Sequence, residues 1–345
     1  AHGGLSRPHR GCGVTQPVRR PSARVVIVNW RQAELTIRAA RSIREQLGDG
    51  DGLVVVDNAS GDGSAGLLRR EGLTVVESSE NRGFGAGVNI GARGMVEDVL
   101  VLLNNDAVAE AGFLEALLAA LSDPPSTVAP AAATARILLA GRWKPAAPGQ
   151  PDALVSPRTG RWTRLDDQAA ARGEGEVLVN STGNLVDASG NGYDRDWLVP
   201  ADREHSPSEV FGLCGGACAI RREAWQALGG FREDLFMYYE DTDLSWRLRE
   251  RGWRVLYVRE AVARHEHASS SGTGSPMFIR VNARNRILTA AAHSPAPVVM
   301  QALARTLVRA VRGPQRGPVM TGLAQAVLGL PRELHRRARG SSSSQ

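Results

Sequence analysis

Short apolar runs alternate with stretches of helical spacing through residues 24–125 of the chain. An apolar run of this length is typical of a buried strand, and apolar residues three and four apart predict an amphipathic helix. The alternation predicts an α/β fold with a mostly parallel sheet and helices on both of its faces. The predicted strands are 24–29, 53–56, 73–76 and 99–103, and the predicted helices are 31–47, 61–70, 85–95 and 113–121.

The pattern changes after residue 140. Residues 140–210 are rich in glycine, proline and tryptophan and contain turn signals such as Asn191-Gly192. This composition predicts hairpins and loops over one edge of the sheet. Regular spacing returns at residue 210. Later helices are predicted at 222–228, 242–251, 277–293, 297–311 and within 318–339, with a strand at 253–258.

The composition is that of a globular protein, with 42% hydrophobic and 23% charged residues among 345. We expect no membrane-spanning helix, because no run of 18 apolar residues is present, and no signal peptide. Cys214 and Cys218 favour buried side chains over a zinc site, because no second pair follows, and we expect a reducing compartment, the cytoplasm. Residues 1–23 are predicted to be a disordered basic segment and 341–345 a flexible tail.

The net charge is unevenly distributed. Residues 276–345 hold eleven arginines and one acid, Glu333, a formal charge of +10, whereas the whole chain carries +6. Arg305, Arg309 and Arg312 recur at helical spacing beside apolar residues, which predicts a basic amphipathic helix able to bind an anionic membrane surface. The alternative is that these helices pack on the rest of the protein or form a dimer contact. No nucleic-acid partner is expected, because Phe278 is the segment's single aromatic residue.

Polar side chains stand at or just beyond the carboxyl ends of three predicted strands: Asn29, Asp57 and Asp106. Ligands of parallel sheets bind at this edge. Because no G-x-G-x-x-G follows the first strand and no G-x-x-x-x-G-K-[ST] motif occurs, a nucleotide site here would use carboxylates and a metal. Asp106 could bind Mg²⁺ or Mn²⁺ that bridges a diphosphate, or it could only cap the following helix.

Three acids stand at the start of the next predicted helix: Glu240, Asp241 and Asp243. The helix dipole favours ionised carboxylates there, and an ionised carboxylate can remove a proton from an attacking hydroxyl. Glu240 and Asp241 are adjacent and cannot face the same way, so we expect separate roles. The alternative is a solvated acidic turn that caps the helix. Further on, His265 and His267 share one face of an extended segment, where one could bind the metal or both could be surface residues.

Several motifs occur in a fixed order along the chain. They are VIVNW at 26–30, VDNASGDGS at 56–64, ENRGFGAGVN at 80–89 and LNNDA at 103–107. This ordered set resembles the family-2 glycosyltransferases. The later motifs GGACAIRR at 215–222, GGF at 229–231 and YEDTDLSWR at 239–247, followed by His265, are similar to those of the rhamnosyltransferase-type branch. The resemblance covers roughly residues 24–290.

The resemblance implies a GT-A-type fold and transfer, with inversion, from a dTDP- or UDP-sugar. It matches Asp57 to the residue that contacts the nucleobase and puts Asn29 near the base or ribose. Arg82 and Asn89 fall in its donor loop, and Asn105 is counted with the donor-binding residues. A cation such as Arg82 is suited to a site beside a diphosphate.

A divalent cation, Mg²⁺ or Mn²⁺, is the cofactor that the resemblance implies. Asp106 matches the last acid of a D-x-D-type motif, whose first acid is replaced here by Asn104. His265 matches a late metal ligand, with His267 as its competitor. The cation would neutralise the charge that builds on the leaving diphosphate.

The resemblance also makes Asp241 the catalytic base, with Glu240 beside it. It places Gly215, Gly216 and Ala217 in a wall of the acceptor site, where glycines let the backbone approach a ligand. The implied sugar is a deoxysugar such as rhamnose, and the implied acceptor is a cell-surface glycan or a lipid-linked hydroxyl. The alternatives are a nucleotidyltransferase, which would need a glycine-rich triphosphate loop, and a catalytically silent sugar-nucleotide-binding protein.

The implied domain organisation has a catalytic domain followed by a helical extension. The catalytic domain is expected at 24–275, with a nucleotide-sugar-binding half at 24–125 and an acceptor-binding half at 126–275. The basic helical extension is expected at 276–340. A cytoplasmic enzyme with lipid-linked acceptors would work as a peripheral protein at the inner face of the cell membrane.

Overall fold

The computed structural model describes residues 19–122, 129–150, 152–266 and 274–342. Most of the predicted disordered segment 1–23, His267 and the last three residues of the predicted tail lie outside them. The strands are β1 Ala23–Asn29, β2 Gly52–Asp57, β3 Thr74–Glu77, β4 Val99–Leu103, β5 Ala107–Ala109, β6 Pro130–Leu139, β7 Trp143–Pro145, β8 Leu154–Ser156, β9 Gly160–Arg164, β10 Val179–Ser181, β11 Asn184–Val186, β12 Gly192–Asp194, β13 Glu209–Val210, β14 Ala217–Arg221 and β15 Arg254–His265. The helices are α1 Ala33–Arg44, α2 Ser64–Arg70, α3 Phe84–Gly91, α4 Phe113–Ala120, α5 Asp167–Ala171, α6 Arg222–Leu228, α7 Glu240–Glu250, α8 Pro276–His293, α9 Ala296–Arg312 and α10 Arg316–Ser342.

A central sheet runs in the order β13–β15–β6–β14–β4–β1–β2–β3, with β5 paired to β15 and β10 to β6. Strands β4, β1, β2 and β3 are parallel, as the alternation of strands and helices predicts. Successive side chains of β1 face opposite sides of the sheet: Val25 and Ile27 pack with α1 and α4, and Val26 packs with α3, α6 and α7. Helices therefore cover both faces, and the predicted α/β fold is confirmed.

The second half of the sheet contains antiparallel pairs. Strand β14 runs antiparallel to both β4 and β6, and β6 runs parallel to β15. Strand β6 was not predicted, because its alanine-rich sequence has low strand propensity. Its position between two neighbours decides its structure, since every residue except Arg136 is buried. A register shift between Val258 and Val262 lets β15 continue to His265, beyond the predicted end at 258.

The segment between β6 and β14 forms hairpins, as its turn residues predict. Strands β7, β9 and β8 make a small antiparallel sheet, and β11 pairs with β12. Trp143, Trp162 and Leu198 are the large members of a separate small core under this sheet. The hairpin β11–β12 packs instead on the main domain, because Gly192 lies against Thr242 of α7.

Helices α8, α9 and α10 pack against one another and on the catalytic domain. Ile287, Ala302 and Ala326 contribute one residue from each helix to their common core. The buried Arg286 guanidinium donates to the Ala302 carbonyl at 2.9 Å and so joins α8 to α9. Helix α9 ends at Arg312 and α10 begins at Arg316, in agreement with the separate helices predicted at 297–311 and within 318–339. No helix in the described ranges has the length and apolar character needed to cross a bilayer.

A buried network of charges ties this extension to α7. Both ring nitrogens of His293 in α8 contact carboxylates: Asp243 at 2.9 Å and Glu250 at 2.7 Å. Arg232 pairs with Glu333 of α10 at 2.6 Å and with Asp243 at 3.4 Å. The alternative stated for the extension, that it packs on the rest of the protein, therefore describes α8 and part of α10.

The His293 contacts make the stability of the protein depend on pH. Burial lowers the pKa of His293, but the hydrogen bonds with Asp243 and Glu250 outweigh it and raise the pKa above its ordinary value. A histidine with a raised folded-state pKa stabilises the protein fully below its ordinary pKa of about 6.5, and this contribution is lost as the pH rises through the raised value.

We therefore predict that the melting temperature of the wild-type protein falls between pH 6.5 and pH 8.5. This decrease is larger than the decrease for the His293→Gln variant over the same pH range. Differential scanning calorimetry at both pH values measures the two slopes. His335→Gln, which changes an exposed histidine of α10, is the control and keeps the wild-type slope. Equal slopes for His293→Gln and the wild-type protein would contradict the assignment.

Candidate active site

A cleft of about 560 Å³ opens at the carboxyl edge of the central sheet. Its lining comes from both halves of the catalytic domain and from the extension. The loops after β1, β2 and β4, the segment before β14, the end of β15, the hairpin β11–β12, the start of α7 and the first turns of α8 all contribute residues. This is the position at which α/β sheets bind ligands, and both predicted halves of the catalytic domain contribute to it.

One side of the cleft holds the predicted metal-binding residues. Asp106 Oδ1 and His265 Nε2 lie 2.9 Å apart, beside the Asn104 amide. The Nδ1 atom of His265 lies 2.7 Å from Asn180 Oδ1, so the ring donates there and turns the Nε2 lone pair toward Asp106. His267, the competitor, is outside the described residues.

This pair of groups fits a weakly coordinated divalent cation. A carboxylate oxygen and an imidazole nitrogen that face each other can share a proton or bind one cation together, and Mg²⁺ or Mn²⁺ completes its shell with water and substrate phosphate. Within the described ranges, no group of three or more His, Cys, Asp and Glu side chains is arranged to hold a metal. The residues present therefore suit a cation that is bound together with a substrate.

Asp241 lies at the first turn of α7 and also lines the cleft. Its carboxylate accepts hydrogen bonds from the Gly215 amide at 3.1 Å and the Thr242 amide at 2.6 Å. Burial nevertheless raises the pKa of Asp241 above its ordinary value, which makes the carboxylate a stronger base than an exposed one. The expected effect of the helix dipole is thus outweighed by desolvation.

Glu240 also lines the cleft, although the adjacent positions 240 and 241 were expected to face different ways. Burial, with the nearby charge of Asp241, raises the pKa of Glu240 well above its ordinary value. Its Oε2 atom is buried and has no hydrogen-bond partner among the described residues. A buried carboxyl of this kind is available to a hydroxyl of a bound ligand.

Asp243 points away from the cleft. It binds Arg247 at 2.7 Å and His293 at 2.9 Å, and burial is outweighed by these partners and by Arg232, which bring its pKa to about 2. A carboxylate that is saturated by cations is a weak base. Asp243 is therefore a structural anchor, which leaves Asp241 as the basic group of the motif that faces a ligand.

The turn that precedes α7 is strained. Phe236, Tyr238 and Tyr239 all have positive φ angles, of 67°, 63° and 71°. Side chains other than glycine rarely adopt this conformation, and each such residue costs about 1–3 kcal/mol. Gly83 lies so close that a β-carbon there would collide with the Phe236 carbonyl. The neighbouring structure must therefore hold the turn in place.

Asn285 of α8 supplies that restraint. Its buried amide nitrogen lies within hydrogen-bond distance of three carbonyls of the turn: Leu235 at 2.9 Å, Met237 at 3.0 Å and Tyr238 at 2.7 Å. Tyr238 also contacts Phe278 ring to ring, with centroids 4.9 Å apart. The expected domain boundary at 275 thus separates two segments that build the same site.

The predicted donor residues at the ends of β1 and β2 are buried against each other. The Asn29 amide donates to Asp57 Oδ1 at 2.6 Å, and the Ser60 hydroxyl donates to the same oxygen at 2.6 Å. Neither Asn29 nor Asp57 lines the cleft. Trp30 and Asn58, their sequence neighbours, line it instead. Contact of Asp57 with a nucleobase stays a prediction.

The other predicted donor residues are placed differently from one another. Asn105 lines the cleft. Arg82 is half exposed and pairs with Glu233 at 2.6 Å, outside the cleft lining. Asn89 exchanges hydrogen bonds with the Phe231 backbone at 2.9 Å and lines a separate pocket of about 350 Å³. The structure therefore brings Asn105 to the cleft and uses Asn89 to hold the backbone at Phe231, which follows α6.

In the predicted acceptor wall, Gly215 and Gly216 line the cleft, as does Cys214. Ala217 is fully buried in β14, where it pairs with Leu103. Both Cys214 and Cys218 are free, and burial raises the pKa of each thiol. These observations agree with the interpretation of both cysteines as buried side chains rather than as zinc ligands.

Sequence reasoning missed several residues of the cleft. Asn180, Asn184 and Asp194 come from the hairpin region, and Met277 and Phe278 from the start of α8. Burial, with repulsion from Asp241, raises the pKa of Asp194 to about 6. The turn Asn191-Gly192 is the only sequence signal near these residues, and it indicates the hairpin but not the direction in which its polar side chains point.

The fold and the cleft define a GT-A-type glycosyltransferase. The family model described as "Glycosyl transferase family 2" matches residues 24–168, and the model described as "Glycosyl transferase family group 2" matches residues 173–292. The two matches together span the lining of the cleft and most of α8. The chain belongs to glycosyltransferase family 2.

Relatives and a solved structure agree with this assignment. The N-acetylglucosaminyl-diphospho-decaprenol L-rhamnosyltransferases of Mycobacterium tuberculosis strains CDC 1551 / Oshkosh and ATCC 25618 / H37Rv are each 28% identical over 233 residues, which is 64% of this chain and 68% of the relative. The mannosyltransferase PcManGT from Pyrobaculum calidifontis, solved in complex with GDP-Man and Mn²⁺, has a TM-score of 0.50 at 20% identity, over 93% of this chain and 85% of that one. The second comparison supports the fold alone.

We predict that Asp241→Asn retains donor binding but lowers the transfer rate by roughly two orders of magnitude or more, the usual effect of losing a general base. Asp243→Asn is the matched variant. It keeps transfer at permissive temperature but lowers the free energy of unfolding by about 3–5 kcal/mol, because it leaves buried cations without their partner. Single-turnover rates and urea unfolding separate the two. An active Asp241→Asn with an inactive, stable Asp243→Asn would reverse the assignment.

Proposed function

We propose that the protein is an inverting, metal-dependent glycosyltransferase that moves a deoxysugar, rhamnose, from a dTDP- or UDP-sugar donor to a hydroxyl of a lipid-linked acceptor. One observation carries this proposal. A family-2 chain places a buried basic carboxylate, Asp241, in one cleft with the Asp106–His265 pair. The rhamnosyl group and the lipid-linked acceptor are inferred from the mycobacterial relatives.

The chemistry assigned to the residues is a single displacement. Asp241 accepts the proton of the acceptor hydroxyl while the oxygen attacks the anomeric carbon, and the bond from that carbon to the diphosphate breaks. Asp106 and His265 would hold a divalent cation, which supplies positive charge to the leaving diphosphate. Attack from the face opposite the leaving group inverts the anomeric configuration. The Gly215 amide and the start of α7 keep the Asp241 carboxylate oriented.

The alternatives lack support. The matched families and the relatives are glycosyltransferases, and none is a nucleotidyltransferase. A catalytically silent binding protein would not need to retain a basic carboxylate, an oriented histidine and a strained turn around one cleft. The proposed roles of Asn29, Asp57, Arg82 and Asn89 in donor binding depend on the family resemblance, since these side chains lie outside the cleft lining.

We predict that the purified protein with Mn²⁺ transfers rhamnose from dTDP-rhamnose to N-acetylglucosaminyl-diphospho-polyprenol, with release of dTDP. Mass spectrometry of the lipid product measures transfer. EDTA abolishes it, and Asp106→Ala and His265→Ala weaken Mn²⁺-dependent donor binding, because each removes a ligand. Glu34→Gln and His205→Ala, which change exposed residues, are the matched controls. Undiminished turnover in EDTA would contradict the metal assignment, and loss of Mn²⁺ affinity in His267→Ala alone would make His267 the ligand.

The proposal also includes a location, at the anionic inner face of the cell membrane. Helix α9 presents three kinds of residue. Ala302, Thr306 and Ala310 pack inward. Met300, Leu307, Val308 and Val311 are exposed apolar residues, and the exposed arginines Arg305, Arg309 and Arg312 lie between them and the inward face. A helix with an apolar stripe flanked by arginine is suited to the interface of anionic lipid. Leu303, by contrast, packs into the core of the extension.

We predict that the full-length protein cosediments with phosphatidylglycerol vesicles at low salt and not with phosphatidylcholine vesicles. Replacement of Arg305, Arg309 and Arg312 by Gln weakens binding roughly hundredfold, because each basic residue contributes about 1 kcal/mol. Replacement of Arg158, Arg161 and Arg172, three exposed arginines of the acceptor half, changes the net charge equally and leaves binding unchanged. Full-length protein that ignores anionic vesicles would make the extension a purely structural element.

A further inference from the structure

The hairpin β11–β12 stands directly over the start of α7. Gly192 has no room for a larger side chain, because a β-carbon there would lie 3.0 Å from the Thr242 hydroxyl and 3.3 Å from the Tyr239 ring. Asn184 and Gly212 exchange backbone hydrogen bonds of 2.8 and 3.1 Å, which fix the first strand of the hairpin to the main domain. The hairpin is thus positioned by the same segment that carries Asp241.

Two polar residues face each other across this hairpin. Asn184 of β11 and Asp194 of β12 are direct partners in the antiparallel register, so their side chains project from the same face. Both residues line the cleft. Asp194 lies close enough to Asp241 for the two carboxylates to repel each other. The hairpin therefore adds two hydrogen-bond acceptors beside the proposed base.

Two buried polar atoms of residues that line the cleft have no hydrogen-bond partner in the described part of the chain. The amide oxygen of Asn184 is one, in a residue that is 7% exposed, and Glu240 Oε2 is the other, in a residue that is 6% exposed. Buried polar atoms in proteins are hydrogen-bonded with few exceptions, and those that face a cleft are the atoms that a ligand satisfies. These oxygens accept hydrogen bonds, so they suit a ligand with several hydroxyl donors.

The base of the hairpin is rigid. The buried Arg195 guanidinium donates to Thr182 Oγ1 at 2.8 Å and to the Thr182 carbonyl at 2.9 Å, and it lies over the Tyr257 ring at 5.0 Å. At the tip, the Asp187 carboxylate accepts from the amides of Ser189 and Asn191. A ligand that binds to a rigid pair of acceptors loses little free energy to ordering them.

We infer that Asn184 and Asp194 bind ring hydroxyls of the acceptor sugar, so that the hairpin β11–β12 selects the acceptor and orients its attacking hydroxyl toward Asp241. This inference rests on the proposed function and adds the recognition element for its second substrate. The occupant is a pyranose with neighbouring hydroxyls, because an amide oxygen and a carboxylate on directly paired residues of adjacent strands can each accept from one of them. The donor nucleotide is assigned to the part of the cleft that Trp30, Asn58 and Asn105 line.

Steady-state kinetics with dTDP-rhamnose and N-acetylglucosaminyl-diphospho-polyprenol test this inference. Asn184→Ala and Asp194→Ala are each expected to raise the acceptor KM by about tenfold to a hundredfold, the range for losing one hydrogen bond to a buried polar or charged group. The donor KM and the affinity for dTDP stay unchanged, which also verifies that each variant is folded. Asp202→Asn, a change of an exposed acid in the same half, is the control and keeps the wild-type acceptor KM.

Other patterns would overturn the inference. A raised donor KM with an unchanged acceptor KM would assign the pair to the donor sugar, and a lowered kcat with both KM values unchanged would place Asp194 in the chemical step.

A second experiment uses saturation-transfer NMR with methyl N-acetylglucosaminide and the dTDP-loaded protein. Signals that the wild-type protein gives and both variants lose support the hairpin site even if transfer to the lipid is absent, which would contradict the proposed function alone. Equal signals from all three proteins would reject the site.

Discussion

The active site depends on how Asn285 holds the strained turn between Leu235 and Tyr239. Three non-glycine residues of this turn adopt positive φ angles, and one amide nitrogen lies within reach of three of its carbonyls. This turn sets the direction in which α7 begins, and that direction brings Glu240 and Asp241 to the cleft. Strain of this kind persists only where surrounding structure compensates for it, and here α8 provides the compensation. Helix α8 is therefore part of the catalytic unit, although it follows the sheet in the sequence.

The three acids of α7 share one short segment but have different environments. Asp243 is neutralised by Arg247, His293 and Arg232, and its pKa falls to about 2. Asp241 receives backbone amides but no cation, and burial keeps its pKa raised. Glu240 has no cation beside it, and burial with the nearby charge of Asp241 raises its pKa well above the ordinary value. Carboxyl groups of one short segment thus differ in basicity because their neighbours differ, and the roles of base and hydroxyl-binding group belong to the proposal.

The sequence allowed prediction of the parallel half of the sheet, because apolar periodicity and helix stops are local signals. The ordered motifs also indicated Asp106, Asp241 and His265, which follow β4, begin α7 and end β15 and all line the cleft, while their roles stay predictions. The sequence did not reveal β6, whose alanines form a strand only between β14 and β15. Nor did it reveal Asn184 or Asp194, because the face on which a short hairpin presents polar residues depends on register and on packing against α7. Contacts between residues distant in the sequence determine the structure of β6 and the direction of the hairpin side chains, and local sequence patterns do not contain that information.

The hydrogen bonds between Asn29 and Asp57 have a consequence for how nucleotide preference could change. Asp57 already accepts from the Asn29 amide, the Ser60 hydroxyl and the Ser60 amide, and the Thr36 hydroxyl donates to Asn29 in turn. On the proposal that Asp57 contacts the nucleobase, its carboxylate is oriented by residues from one strand, one loop and one helix. A substitution at any one of them would reorient the carboxylate, so a new base preference at this position would require coordinated replacements.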